Sequence, residues 1–315
     1  MCYHGISLAD EHQWSDLYLS PQQLDQRLLA LRKLGATVLP LQQALELLRE
    51  KALPPQAVAL TFDDGAYDFS ALAHPLLEAH EVPSTLYLTT YYVEKQLPVF
   101  NPLASYLMWK GRGRTIELPM GLGRQLLPES ARDERHVALH SELRRVTQAL
   151  DADEKHSVAR VLADRVGVDF DAICAQRLFS LMRPAEIQAL NAERVSIQLH
   201  THRHRVPQEH AAFLRELSDN REVIARILGD SSLREHFCYP SGEFHSQFLP
   251  WLATAQVKYA TTCAPGIANA TDHPLVLPRF IDTTGVSPST FEAWVSGLGS
   301  VVARNRQPRI QRLDV

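Results

Sequence analysis

The sequence has little of what would staple, anchor or strongly charge a protein. Its 315 residues include only four cysteines, Cys2, Cys174, Cys238 and Cys263, with no CxxC pair and no regular spacing. That argues against a disulfide framework or a sulfur-ligated zinc site, and the four read as small buried hydrophobes. No apolar run approaches about eighteen residues, so no transmembrane helix is expected. Charge of one sign is also missing. The 32 basic and 36 acidic side chains leave a formal charge of −4, without the basic excess of a nucleic-acid binder. The first residues lack the basic, apolar and small-residue succession of a signal peptide, which sets the expectation of a cytoplasmic chain.

What is present is an ordinary globular composition, 45 % apolar and 22 % charged. A chain of this length buries roughly three-quarters of its unfolded surface, and either one large α/β barrel or two small domains fits it. Short β-type runs alternate with helical patterns. The strand candidates are Cys2–Ile6, Thr37–Pro40, Val58–Phe62, Ser84–Thr89, Val195–His200, Phe237–Tyr239, Tyr259–Thr262 and Leu275–Phe280. Apolar residues at helical spacing mark Pro21–Leu34, Leu41–Arg49, Ala71–His80 and His210–Leu228. Alternation of this kind predicts parallel β-structure with crossover helices, and eight strands favour a barrel. The pattern stops over residues 93–184, which read as a mostly helical insertion within a single domain spanning 1–315. Thr290–Ala303 is a candidate closing helix. The basic tail that follows, with Arg304, Arg306, Arg309 and Arg312, is expected to be a solvated terminus rather than a membrane contact.

The strongest local feature is Thr61-Phe62-Asp63-Asp64-Gly65, two carboxylates at the C-terminal end of a buried-type strand. That end of a parallel barrel is where catalytic groups gather. Adjacent carboxylates repel, so such a pair calls for a cation or separate partners, although a surface Asp-Asp-Gly turn has the same composition. Val195–Leu199 then runs into His200-Thr201-His202-Arg203-His204. A helical turn there would set His200 and His204 on one side, with His202 pointing elsewhere. Two histidines and a carboxylate from Asp63 or Asp64 make a three-ligand metal site with positions open for water and substrate. The same set suits non-haem iron oxygenases, but here the carboxylate is the distant member, 200 − 64 = 136 residues upstream.

These two runs, with Tyr239-Pro240-Ser241-Gly242 after them, resemble the motifs of the polysaccharide deacetylases, carbohydrate esterase family four. Tyr3-His4, Thr261-Thr262 and Leu277-Pro278-Arg279-Phe280 extend the likeness to both ends of the chain. The resemblance implies a distorted, incomplete (β/α) barrel carrying a helical insertion. It implies Asp63 as general base and Asp64, His200 and His204 as ligands of a divalent metal, most often zinc and sometimes cobalt. The reaction it implies is hydrolysis of an N-acetyl amide on an amino sugar, with release of acetate. Ser241 matches the position of a backbone oxyanion donor, and Tyr239 and Pro240 would shape that substrate-binding loop.

Three departures from the family stand out. Cys238 and Ser241 occupy positions where many members carry arginine and tyrosine, and Arg279 is the candidate to replace that arginine beside Asp63. No late Leu-x-His motif supplies a proton donor, which leaves His4, His245 and His273 as substitutes. The insertion is long, and its Phe100, Tyr106 and Trp109 could stack on a sugar, although aromatics are more often core. The expectation is a metal-dependent N-deacetylase of a glycan or glycan precursor. The alternatives are a deformylase or deacetylase of a small amino-sugar compound, or an inactive glycan-binding module.

Overall fold

The computed structural model describes residues 1–299 of the chain. Six short strands form one parallel sheet in chain order: β1 (Cys2–Tyr3), β2 (Leu60–Phe62), β3 (Ser84–Leu88), β4 (Val195–Leu199), β5 (His236–Cys238) and β6 (Tyr259–Thr261). Register follows from neighbouring hydrophobic runs, with Cys2 opposite Thr61, Leu86 opposite Ile197 and Phe237 opposite Ala260. Leu275–Phe280 is not a regular strand. Its Pro278 has no amide to donate to a ladder, and the segment instead touches both sheet edges, Leu277 bridging Thr261 and Ile281 bridging Cys2. The Cys2 amide donates to the Phe280 carbonyl at 2.8 Å, and the Thr262 amide to that of Leu277 at 2.9 Å. The curled sheet closes through this irregular seam, giving a distorted α/β barrel.

Two expected strands are divided. Cys2–Ile6 breaks at His4, after which Gly5–Ile6 pairs with Tyr18–Leu19. Val58–Phe62 breaks because Ala57–Val58 pairs with Thr37–Val38 while Leu60–Phe62 joins the main sheet. Periodicity places the helices closely. Pro21–Lys33 opens on a Ser20–Gln23 capping box and buries Leu24, Leu28 and Leu31. Leu41–Arg49 and His210–Leu228 have the predicted bounds. Ala71–His80 begins earlier, as a π-helical turn over Phe69–Ala73 that leads into His74–Ala79. The principal core joins Tyr3, Phe62, Phe69, Leu86, Phe213, Phe237 and Phe248 between sheet and helices. A buried ion pair, Arg27 Nε to Asp282 Oδ2 at 2.9 Å, ties the first long helix to the end of the seam.

The segment from Phe100 to Gln176 builds a second core around Leu107, Met108, Leu118, Leu143, Leu162 and Phe170. It holds helices Phe100–Lys110, Glu134–Val146, Ala152–Val166 and Phe170–Gln176, together with an antiparallel hairpin, Thr115–Leu118 with Gly123–Leu126, that helical patterning does not reveal. Phe100, Tyr106 and Trp109 are buried in this core, so they pack the insertion and do not face a sugar. The terminal helix spans Pro288–Val295 and stacks Trp294 on Phe280, ring centroids 4.6 Å apart. The expected closing helix is interrupted after Val295, where Ser296 and Gly297, with φ 83°, form a turn; its last residues and the basic tail, residues 300–315, lie outside the described residues. Among the described residues no helix is long and apolar enough to cross a membrane.

Candidate active site

Asp63 and Asp64 leave β2 through a strained turn. The Gly65 amide donates to the Asp63 carbonyl at 3.0 Å, closing a three-residue γ-turn around Asp64, whose φ is 73°. A non-glycine residue at positive φ is unfavourable, and such strain is characteristic of functional sites. The turn redirects the chain between two carboxylates that a continued strand would have sent to opposite faces. Gly65 follows with φ 84°, and a Cβ there would lie 2.2 Å from Leu88 Cδ1. Gly65→Ala is therefore expected to destabilise the fold by about 1–3 kcal/mol from backbone strain and by a similar amount from overpacking. An unchanged denaturant midpoint would count against this account.

The carboxylates have different partners. Asp63 is buried and held bidentately by Arg279, Nη1 to Oδ1 at 2.8 Å and Nη2 to Oδ2 at 2.7 Å. Arg279 is oriented by Thr61 Oγ1 at 3.0 Å and the Thr262 carbonyl at 2.9 Å. Burial alone would raise the Asp63 carboxyl, but the guanidinium charge and its hydrogen bonds override it and hold the group well below the usual carboxylate range. Asp64 Oδ1 is buried with no hydrogen-bond partner among the described residues. Nε2 of His200 lies 3.2 Å from it and Nε2 of His204 3.1 Å. Two ring nitrogens converging on an unsatisfied carboxylate oxygen could hold a divalent cation. Burial would raise the Asp64 carboxyl too, yet the two imidazoles hold it low.

The histidine run is not helical. Thr201 and His204 have φ of 62° and 53°, and an irregular loop brings the two rings within 4.9 Å. His200 Nδ1 donates to the Cys238 carbonyl at 2.8 Å, which turns Nε2 toward Asp64. The central His202 is buried against Thr90 Oγ1, 2.9 Å from its Nδ1. Two polar side chains on the buried face of helix His210–Leu228 hold this loop. Asn220 accepts the His200 amide at 3.0 Å and donates to the Leu88 carbonyl at 2.9 Å. Glu216 accepts the Arg203 amide at 2.7 Å and Arg205 Nε at 2.9 Å. Neither was singled out from the sequence, although their phase among Phe213, Leu217 and Ile224 is a legible signal, since buried polar groups need partners.

The remaining expected residues divide by burial. Tyr239 is fully buried, its hydroxyl donating to the Leu275 carbonyl at 2.9 Å. Pro240 is buried as well, so both shape the loop from within the core. Ser241 is exposed at φ 57°, in a turn closed by the Gly242 and Glu243 amides and not by its own. His4 Nε2 stands 3.8 Å from Asp63 Oδ2, with its side chain 19 % exposed; burial lowers its pKa despite the nearby carboxylates. His245 packs on Phe248 and His273 Nδ1 accepts the Leu275 amide, both in other surroundings. Cys238, where family members carry arginine, lies 3.4 Å from Asp63 Oδ2 and 3.1 Å from Arg279 Nη2. The guanidinium thus reaches Asp63 from the seam instead of from β5.

Parallel strands deliver Asp63, Asp64, His200 and Cys238 at their C-terminal ends, which is where α/β-barrel enzymes keep their chemistry; that is the class of the protein. The chain belongs to the polysaccharide deacetylase family, whose model matches residues 50–260, and is a carbohydrate deacetylase, a hydrolase acting on carbohydrate amides. No curated protein matches it. Among solved structures it is similar in fold to the Streptococcus pyogenes deacetylase PplD in complex with acetate, with TM-score 0.59, 18 % identity, and 95 % of this chain and 96 % of that one covered. It is likewise similar to IcaB from Ammonifex degensii, with TM-score 0.57, 17 % identity and 94 % and 95 % coverage. A de-N-acetylase from Aggregatibacter actinomycetemcomitans gives TM-score 0.59, 16 % identity and 93 % and 98 % coverage.

Proposed function

We propose that the protein is a metal-dependent N-deacetylase that hydrolyses the N-acetyl amide of an amino sugar in a glycan or glycan precursor and releases acetate. The observation that carries this reading is the division of labour between neighbouring aspartates. Asp64 presents an unsatisfied oxygen to two imidazole nitrogens, while Asp63 is kept ionised by Arg279. Asp64, His200 and His204 would hold a divalent cation, zinc, with cobalt as a substitute. Such a cation, when bound, polarises the amide carbonyl and acidifies water. Asp63 takes the proton from the attacking water, and the exposed turn at Ser241 offers its amide to the developing oxyanion. Of the three histidines outside the ligand set, His4 is the one beside Asp63 and is assigned as proton donor to the leaving amine.

The test is acetate release from a panel of N-acetylated amino sugars, oligomers and nucleotide- or lipid-linked forms, with added zinc or cobalt and the Asp63→Asn variant as blank. Acetate above the blank is expected. Formate from N-formyl analogues instead would identify a deformylase, and metal and glycan binding without turnover would identify a binding module. His4→Ala should lower kcat on the amide by about 10²–10⁴-fold but spare an activated acetyl ester, whose leaving group needs no proton. Equal losses on both would remove His4 from that role.

Arg279 keeps the protonation of Asp63 from limiting the reaction in acid. With the guanidinium present, Asp63 stays ionised well below the ordinary carboxylate range, so its protonation does not set the acidic limb of kcat/KM. In Arg279→Ala, burial is left unopposed by that charge, the carboxyl rises, and the limb moves to higher pH. A profile with an unmoved acidic limb would make Arg279 a structural residue.

A further inference from the structure

A cavity of about 240 Å³ lies where the insertion joins the barrel, between the loop at Gln96–Pro98 and the returning chain at Ser180. Junctions between packed units are common places for ligands. Three arginines line it, Arg160, Arg177 and Arg183, with one carboxylate, Asp171. Arg177 is fixed in place: its Nη2 donates to Glu186 Oε2 at 3.0 Å and to the Leu181 carbonyl at 2.9 Å, and its guanidinium lies 3.8 Å from the centre of the Tyr67 ring. Arg160 Nη2 donates to Asp171 Oδ1 at 2.8 Å, but the two side chains are 46 % and 78 % exposed, and an exposed pair holds its partners weakly. Arg183 has no ion-pair partner among the described residues. Three cations against two carboxylates leave a local positive surplus in a protein whose formal charge is −4. His156 stands in the same wall, and burial together with Arg160 lowers its pKa, so the charge of the cavity comes from the arginines.

The backbone ties this cavity to the candidate active site. The Tyr67 amide donates to the Ser180 carbonyl at 2.8 Å, and the Met182 amide to the Gly65 carbonyl at 3.1 Å. The returning chain is thus strapped to the segment that has just left Asp64. Three residues separate Asp64 from Tyr67, a span of at most about 11 Å, and the Tyr67 ring carries Arg177. That reach is comparable with an amino sugar and its linked phosphate. We propose that the cavity is a subsite for a phosphoryl group carried by the substrate, so that the amide hydrolysed belongs to a phosphate-linked amino sugar; the inference rests on the deacetylase reading above. Guanidiniums from three positions around one cavity match the several oxygens of a tetrahedral phosphoryl group, whereas a planar carboxylate is met by a single guanidinium fork. Arg183 supplies the unneutralised charge. Arg160 exchanges the exposed Asp171 for the ligand, and Arg177 stays held by Glu186 and Tyr67.

The test has two arms. In the first, inorganic phosphate is titrated into the full-length protein by calorimetry at fixed ionic strength, without substrate. Binding is expected, weakened about tenfold or more in Arg183→Ala and in Arg160→Ala by loss of one charge-assisted contact. It should persist in His204→Ala, which lacks a complete cation cradle, and there formate should bind more weakly than phosphate. No binding, binding unchanged in both arginine variants, binding lost in His204→Ala, or formate bound as tightly would each overturn the site. The second arm compares acetate release from an N-acetylhexosamine 1-phosphate and from the unphosphorylated sugar. kcat/KM should be higher for the phosphate, mainly through KM, and Arg183→Ala should erase the difference. Equal values for the two sugars in the unsubstituted protein would overturn the assignment to the substrate, the phosphate then coming free from solution. Absence of acetate from both sugars, with phosphate binding intact, would fall on the deacetylase reading and take the substrate assignment with it. The first arm needs no turnover, so failure of the subsite is separable from failure of that reading.

Discussion

Asp63→Asn is expected to reduce kcat by about 10²–10⁴-fold, the contribution of a positioned general base, while leaving the cation bound. The two effects separate because Asp63 and Asp64 have separate partners. Asparagine cannot accept the water proton, but the unsatisfied Asp64 oxygen and both imidazoles remain where they are. The substitution has a second consequence. Arg279 is buried and paired bidentately with Asp63, and removing one charge of a buried pair costs about 3–5 kcal/mol. Activity must therefore be referred to the folded fraction, measured by denaturant unfolding in parallel. Loss of the cation from this variant would mean that the roles of the two aspartates are exchanged.

The pair also makes stability depend on pH. Because the folded carboxyl of Asp63 lies below its unfolded value, its contribution is fully present above the ordinary carboxylate range. It is lost as pH falls through the depressed folded value.

His204→Ala should remove cation and turnover together. His204 is the most exposed of the three proposed ligands and makes its closest charged contact, 3.1 Å, with Asp64. Loss of even an outer-shell partner lowers metal affinity about 10–100-fold, so loss of a direct ligand should exceed that. The fold should survive, because the loop is held by Asn220 and Glu216 through backbone amides and arginines, not through the His204 ring. Elemental analysis after dialysis, with thermal unfolding alongside, checks both statements. Full zinc occupancy in a folded His204→Ala protein would refute its role as a ligand.

Much of this centre is local in sequence and could be read there. Asp63 and Asp64 stand at the end of an apolar strand, and the histidine run ends another, so strand periodicity alone sends them to the same end of a parallel sheet. The helix that carries Asn220 and Glu216 was legible in its bounds, yet their role was not, because a polar residue on an apolar face shows no partner until the fold supplies one. The i, i+4 spacing of His200 and His204 suggested a helical turn. The loop reaches the same convergence through left-handed residues, since the Asn220 and Glu216 contacts outweigh local helical preference. The insertion aromatics follow the commoner of their two readings, core over sugar contact, because a long excursion with many apolar residues builds its own core and consumes them.

The sequence by itself determined the strand–helix alternation, the family motifs and the identity of the groups at the strand ends, because each rests on period, residue type and short spacing. Tertiary structure decided how Arg279 and the cysteines reach the base. Arg279 is 216 residues from Asp63 and Cys238 is 175 residues from it. Arg279 meets it because a proline-interrupted segment does not continue as a strand and instead closes the sheet, while Cys238 reaches it from β5 across the curled sheet.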